Sequence, residues 1–520
     1  MFFASIDRRS QGSASPVART AWLPYLAILL ASLAVVGPAI FGPVRTNDSF
    51  WIDWVWLDQF ASELAKGNFY PRWLPQSHGG LGSPVFYYYP PLAFYAGSAF
   101  VFAGLGTYAA MIATFFASFV LAGVGMYWWL KPQSRAPLLG ALIFTIAPYH
   151  AYNLYTRGAI AETFATAILP FVMIGLRRLS TGERGGFAIT ASAYSALIAS
   201  HLPLALLASI FLIGPYALVH IGKAPSRLVA AGTALVAGIG LAAIYLVPAI
   251  VLEPFRDTAK LWHVDVLQPS NWSFWDPKFR TWPNYVSILV IGAALAMPLA
   301  GLIARNRSRW ALFSLLCVLL AIGTVPTIWS LPLLKSVQFP FRLLPIAEFA
   351  LATGIAMAPT RPSERVVALL VLTAITIPIA SANNQPVVPF EELRASYLDV
   401  PENLPPGERP YSWPSRWALQ LAEAHRAPQQ ANGMTVMPTF YYPAWEVRCG
   451  DRAVPTFPDE RTRLLSYKGS ADCDSRLVWT AAEKIGAATS LLALAALLTG
   501  TVLSFSCRRA AAFKTAWSEG

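Results

Sequence analysis

Along its length the chain alternates long apolar runs with short polar ones. The apolar runs fall at about 22–42, 92–105, 107–130, 136–150, 159–176, 187–201, 203–221, 228–249, 285–304, 309–328, 342–358, 364–382 and 486–506. Each is roughly as long as a helix must be to cross a bilayer core, some only with tilt or local thinning. The pattern predicts an all-α polytopic membrane protein of about 12–13 transmembrane helices. Two stretches break it. Residues 43–91 form the longest interruption of the N-terminal half, and residues 383–485 separate the last run from the others. The second stretch begins Pro-rich and continues as short strand-like runs, MTVMPTFYY, AWEVRCG, RAVPTF and RLLSYKG, with turn signals at CGDR and FPDE. The expected organisation is an N-terminal tail (1–21), a transmembrane module (22–382) with the loop 43–91, a small β-rich domain (383–485), a last helix (486–506) and a C-terminal tail (507–520).

Charge orients this frame. The 520 residues are 55% hydrophobic and only 13% charged, which excludes a soluble globular protein. The net charge of +12 is not a nucleic-acid footprint. Its Lys and Arg cluster between apolar runs, as Arg177/Arg178/Arg184, Lys223/Arg227, Arg305/Arg307/Arg309, Arg361/Arg365 and Arg508/Arg509. That is the positive-inside pattern, and it puts both termini in the cytoplasm. The first run is long enough to span and no small-residue cleavage site closes it, so a retained helix is expected there. The alternation holds from residue 131 onward and fails once before it, where two runs must make one net crossing. The shortest run, 92–105, is expected to be re-entrant, leaving about twelve full spans; otherwise Lys131 and Arg135 lie outside.

The polar stretches then gather on the outer face. They are residues 43–91, the turn YHAYNLYTRGAIAE (149–162), the turn at His201, the loop 253–284, LKSVQFPFR (334–342) and the β-rich domain, which is therefore extracytoplasmic. No GxxxxGK[ST] or GxGxxG phosphate loop occurs, and the cytoplasmic connections are too short to hold a nucleotide domain. Cys449 and Cys473 both fall in the β-rich domain, where a disulfide is one of two open outcomes; Cys317 and Cys507 fall in or beside the membrane. The six His are scattered and no pair has zinc spacing, so no cofactor or metal is expected, although a divalent ion is compatible with the chemistry below.

The loop 43–91 carries Asp48, Asp53, Asp58, Arg72 and His78 where charge is otherwise scarce. A carboxylate held at a membrane face, with cations from other helices, suits transfer of a group from a lipid phosphate to a hydroxyl. The carboxylate acts as general base, and Arg stabilises the charge growing on the departing phosphate. Asp48, in the polar run RTND after the first helix, is the best-placed base; it is equally explained as the cap of the next helix. Asp53 and Asp58 fall on FWIDWVWLDQFASELAKG, expected to be an amphipathic helix resting on the membrane surface with Asp58 solvated. Arg157 and Glu162 flank TRGAIAE and either bridge each other or serve a phosphate. Arg342 ends QFPFR and either anchors at the interface or does the same. His201 precedes Pro203 at a helix break, where a satisfied polar role is the alternative to lining a site. The GGLGSP turn shapes its loop, and the Trp and Tyr of 51–56 and 86–89 serve either as interfacial anchors or as stacking surfaces. No charge stands out deep within the helices, which disfavours a proton-coupled carrier.

The combination NFYPRWLP, GGLGSPVFYYYPPLAFY, RGAIAE, SHLPLAL and QFPFRLL resembles the bacterial membrane proteins labelled "6-pyruvoyl-tetrahydropterin synthase-related". The tail FYYPAWEVRCGDRAVP is similar to that of the related YfhO-like proteins, with Ala444 where that pattern has Gly. Pterin synthase chemistry itself needs a three-His zinc site that the scattered His do not offer. The YfhO-like relatives resemble GT-C-type glycosyltransferases, which use polyprenyl-phosphate sugars and carry an acid in the first outer loop. The resemblance implies a GT-C-like fold in a bacterial inner membrane, with Asp48 as that acid. It also implies a polyprenyl-phosphate sugar and an envelope glycan or lipid as partners. Beside it, the reading of the residues gives Arg72, Arg157 and Arg342 as candidate phosphate contacts, with His78, Glu162 and His201 lining the site. A non-catalytic lipid-linked glycan carrier or assembly partner is the competing expectation.

Overall fold

The computed structural model describes residues 21–42, 49–255, 267–280, 283–306, 308–358, 369–379 apart from 371, 375 and 378, 416–431 and 433–518. Asp48 and the Pro-rich first half of the 383–485 stretch lie outside the described residues. Six described helices are long and apolar enough to cross a bilayer: Leu23–Phe41, Thr107–Leu130, Ile160–Thr181, Leu202–Ile221, Pro340–Met357 and Ala481–Thr501. Pro225–Leu241 and Ala243–Val251 make a seventh path, bent by 70°. Other apolar runs form shorter helices, Leu92–Phe102, Gly186–Ser200, Tyr285–Ala300 and Arg309–Ala321.

Several runs that read as single spans are interrupted. The run 136–150 divides into Pro137–Thr145 and Pro148–Tyr152, because Pro148 has no N–H to continue the first helix. Leu92–Phe102 reaches about 16 Å at helical rise, half a bilayer core. The chain then turns at Gly104, with φ +98°, into Thr107–Leu130.

The helix Phe50–Ala65 departs from expectation. It does not rest on a surface: Trp51, Asp53, Trp54, Trp56, Leu57 and Phe60 are all buried. FWIDWVWL is apolar all round apart from Asp53, and a helix apolar all round goes inside. Its aromatic residues meet Phe86, Tyr89, Phe94 and Tyr95 from the following loop and helix. That contact holds the loop 69–91 over the helix ends.

The β-rich domain is two antiparallel sheets. Strands β1 (Gln429–Ala431), β2 (Met434–Phe440), β6 (Leu464–Lys468) and β5 (Thr456–Pro458) make one in the order β1-β2-β6-β5. Strands β3 (Trp445–Cys449), β4 (Arg452–Val454) and β7 (Asp474–Leu477) make the other in the order β4-β3-β7. RAVPTF is therefore two strands in different sheets, divided at Pro455, which cannot donate to a ladder. A disulfide joins Cys449 to Cys473. The domain sits on the loop. Leu81 O accepts from the Phe440 N–H at 2.8 Å and the Thr439 hydroxyl at 3.0 Å, and Trp73, Leu81 and Tyr87 share a core with Tyr442 and Leu464.

The helix Ile160–Thr181 separates two charged regions. Glu162 is in its first turn and Arg177/Arg178 near its last, about 22 Å apart along the axis. At the far end Arg177 pairs with Glu183 and Arg227 donates to Ser180 O.

Candidate functional site

The site is built on a broken helix. After Pro148–Tyr152 the chain widens into a π-type turn, Asn153–Arg157, and reverses at Gly158 with φ +66°. Any Cβ there would strike the backbone of Phe50, so this crossing requires glycine. The Ser49 N–H donates to Arg157 O at 2.8 Å, fixing the residue after Asp48 to the turn. Asp53, buried, accepts from the Ile160 N–H at 3.3 Å and so caps the next helix.

The reversal brings Arg157 and Glu162 to one side. Arg157 Nη1 donates to Glu162 Oε2 at 2.6 Å and to Asn153 Oδ1 at 2.9 Å. The Tyr149 hydroxyl donates to Glu162 Oε1 at 2.7 Å. Arg342 arrives from a distant segment, the turn Pro340–Leu343, with Nε 3.4 Å from Glu162 Oε2. Its Nη1 is held by Val337 O at 2.6 Å and Gln338 Oε1 at 3.1 Å. The stacked rings of Phe339 and Phe341 cover both guanidiniums, 5.3 Å from Arg157 and 4.9 Å from Arg342 at the nearest.

His201 closes the group from the break before Leu202–Ile221. Its Nδ1 accepts from the Leu204 N–H at 3.2 Å, which leaves the ring proton on Nε2, 3.9 Å from Glu162 Oε2. Arg157, Glu162, His201 and Arg342 are 2%, 1%, 5% and 8% exposed, so one carboxylate sits between two guanidiniums almost out of water. Among the described residues, Arg342 Nη2 and His201 Nε2 make no hydrogen bond. The buried Arg342 Nε also makes no hydrogen bond, and a buried donor of this kind faces an acceptor or leaves a deficit. Tyr89, half-buried at the edge of the loop, lies in the field of Asp53, Arg342, Arg157 and Glu162; burial pushes its phenol well above the usual range.

Two other expected residues go elsewhere. Arg72 is not beside these cations: its Nε is 2.9 Å from Glu483 Oε1 and its Nη atoms donate to Ile244 O, while Tyr70 lies 3.8 Å beneath it. Its charge is already matched, and it ties the loop to the last helix. His78, buried with φ 55°, packs edge-on against Phe440 of β2. Burial lowers its imidazole to about 3, so it is a neutral wedge under the β-rich domain. Asp58 is half-buried on the Phe50–Ala65 helix.

Tyr149 and Asn153 belong to the group without having been singled out, while Asp53 and Tyr89 were expected in other roles. Glu348 corrects the expectation of helices free of charge. Buried within Pro340–Met357, it accepts the Tyr149 N–H at 2.7 Å and meets His150 Nδ1 at 2.8 Å. Its sequence signal was available, a lone acid in LLPIAEFALATG. No three His, Cys, Asp or Glu side chains group together among the described residues.

The family described as 6-pyruvoyl-tetrahydropterin synthase related domain, membrane protein, matches residues 86–386, more than half of the chain. The chain belongs to this family. No curated protein matches it. Among solved structures, the arabinofuranosyltransferase AftD from Mycobacteria is similar at 16% identity and TM-score 0.46, over 71% of this chain and 27% of that one. The chain thus spans about a quarter of the length of AftD. ArnT from Cupriavidus metallidurans, solved with undecaprenyl phosphate, is similar at 14% identity and TM-score 0.47, over 72% of this chain and 68% of that one.

Proposed function

We propose that this family member is a membrane glycosyltransferase of GT-C type. It moves a sugar from a polyprenyl-phosphate donor to a cell-envelope glycan, lipid or polymer at the outer face of the bacterial inner membrane. The acceptor hydroxyl oxygen attacks the anomeric carbon and gives its proton to the Asp48 carboxylate. The bond from that carbon to the phosphate oxygen breaks, and the electron pair leaves with the phosphate. Arg157 and Arg342 stabilise the charge that grows there, and His201 Nε2–H offers a further hydrogen bond.

One observation carries this reading: two buried guanidiniums converge on a single carboxylate while Arg342 Nη2 and His201 Nε2 stay open. A phosphate monoanion or dianion is the ligand that answers both open donors. The Ser49 N–H bond to Arg157 O adds that the acid is one residue along the chain from this cluster.

The test is turnover of a polyprenyl-phosphate sugar by membranes containing the full chain, against the same chain carrying Asp48→Asn. Loss of a general base lowers the rate by about 100-fold or more while the donor still binds. Unchanged sugar transfer removes Asp48 from the mechanism. Movement of the lipid-linked sugar across the bilayer with no transfer, insensitive to Asp48→Asn, favours the carrier.

A further inference from the structure

The buried Glu348–His150 pair has no part in the mechanism above, yet it is joined to the site. Glu348 grips two groups of the neighbouring segment at once, the Tyr149 N–H at 2.7 Å and His150 Nδ1 at 2.8 Å. Tyr149 is thereby held at both ends, since its hydroxyl donates to Glu162 Oε1 at 2.7 Å and receives Arg157 Nη1 at 3.2 Å. Glu348 lies on the same helical stretch, Pro340–Met357, that carries Arg342 in its first turn. The contacts close a ring: Arg342 to Glu162, Glu162 to Tyr149, Tyr149 to Glu348, and back along the helix to Arg342.

Such a ring fixes the distance between two segments of the site. The 148–157 segment carries Arg157 and the 340–357 segment carries Arg342. Around the ring the wall is apolar, with the Phe144 and Phe119 rings 4.8 and 5.5 Å from His150 and its Nε2 without a partner. An acid in such surroundings is costly for packing alone, because a hydrophobic residue of its size would fill the space without desolvating a charge. We infer that Glu348, clamped by His150, is the positioning residue that sets the spacing of Arg157 and Arg342 for the phosphate of the donor lipid. It acts through Tyr149 and touches no substrate. The inference rests on the proposed phosphate site.

The experiment compares binding of undecaprenyl phosphate to the purified full-length protein in detergent, with folding followed by size-exclusion profile. Glu348→Gln keeps the length and the acceptor for the Tyr149 N–H, and binding is expected to stay within about threefold of the unaltered protein. Glu348→Asp keeps the charge but is one methylene short, so it cannot hold both partners; a loss of about tenfold is expected, a factor of ten being about 1.4 kcal/mol. Glu348→Ala is expected to lose at least as much. A role in charge alone would rank the variants differently, with Asp milder than Gln. That order, or Glu348→Asp binding as tightly as the unaltered protein, overturns the inference whether or not Glu348→Ala folds. Arg342→Gln in parallel separates the two claims. If it weakens binding while Glu348→Asp does not, only the positioning role fails; if the unaltered protein does not bind the lipid, the phosphate site itself fails.

Discussion

Glu162→Gln removes the one charge shared by Arg157 and Arg342 while keeping the side-chain size and an acceptor for the Tyr149 hydroxyl. The guanidiniums lie 2.6 and 3.4 Å from the same carboxylate oxygen. At an effective dielectric near 20, a pair at the longer distance attracts by about 5 kcal/mol before desolvation. Removing one member of a buried pair typically costs about 3–5 kcal/mol, because the remaining charge is left without its partner. The variant without ligand is therefore expected to lose about that much stability, read as a lower midpoint of thermal unfolding in detergent. Undecaprenyl phosphate should repair much of the loss. It returns negative charge to the same cations, and a ligand at about 100 times its Kd adds about 2.7 kcal/mol. Glu162→Gln should also bind the lipid more tightly than the unaltered protein, since the phosphate no longer competes with a carboxylate. Arg342→Gln runs the other way: losing a charge-assisted hydrogen bond, about 1.5–3 kcal/mol, weakens binding roughly 10- to 100-fold, and added lipid does not restore stability. Equal responses of the two variants to the lipid would refute the reasoning, as would a ligand-free Glu162→Gln as stable as the unaltered chain.

Gly158→Ala forces a side chain into the Phe50 backbone at a left-handed position, and is expected to lower both thermal stability, by more than about 1 kcal/mol, and lipid binding. Gly182→Ala is the control. It is also left-handed, but it faces the end of the Arg227 side chain at the opposite end of the helix, and it should leave lipid binding intact. Lipid binding unaffected by Gly158→Ala would contradict the placing of the site at this reversal. His78 predicts an acid sensitivity. Its folded value, about 3, lies below the ordinary 6.5, so the undocked loop binds the proton better. The docking of the β-rich domain on the loop is then fully present above about pH 6.5 and weakens as pH falls toward 3, by up to about 1.4 kcal/mol per pH unit. Hydrogen exchange of residues 434–440 across that range reads it. His78→Asn, which tolerates the left-handed backbone and does not titrate, should flatten the profile; an unchanged profile assigns the acid sensitivity to another group.

The helical frame was legible because bilayer-length apolar runs leave the backbone few alternatives. Where it misled, local chemistry decided. Pro148 and Pro455 divided segments that hydropathy or strand propensity joined. The alternation of FWIDWVWL read as amphipathic because Asp53 and Asp58 stood out, whereas the surrounding tryptophans made the helix an interior one and carried Asp53 in with it. At the site, Arg157, Glu162, His201 and Arg342 were visible from sequence because each is a polar residue at a break in an apolar run. Arg72 and His78 shared that signal but not the outcome, since their partners, Glu483 and Phe440, come from the far end of the chain. Tyr149 gave no signal among so many interfacial aromatics. Glu348 did, and a lone acid in a membrane helix outweighs the tally of apolar residues around it.

The account stands on a lipid phosphate meeting Arg157 and Arg342. The most direct measurement is a structure of the full-length protein with undecaprenyl phosphate bound. The expected result places a phosphate oxygen about 2.7–2.9 Å from Arg342 Nη2, with His201 Nε2 within reach of the same group. A phosphate bound instead among Arg177, Arg178 and Arg227, at the other end of the Ile160–Thr181 helix, would contradict it.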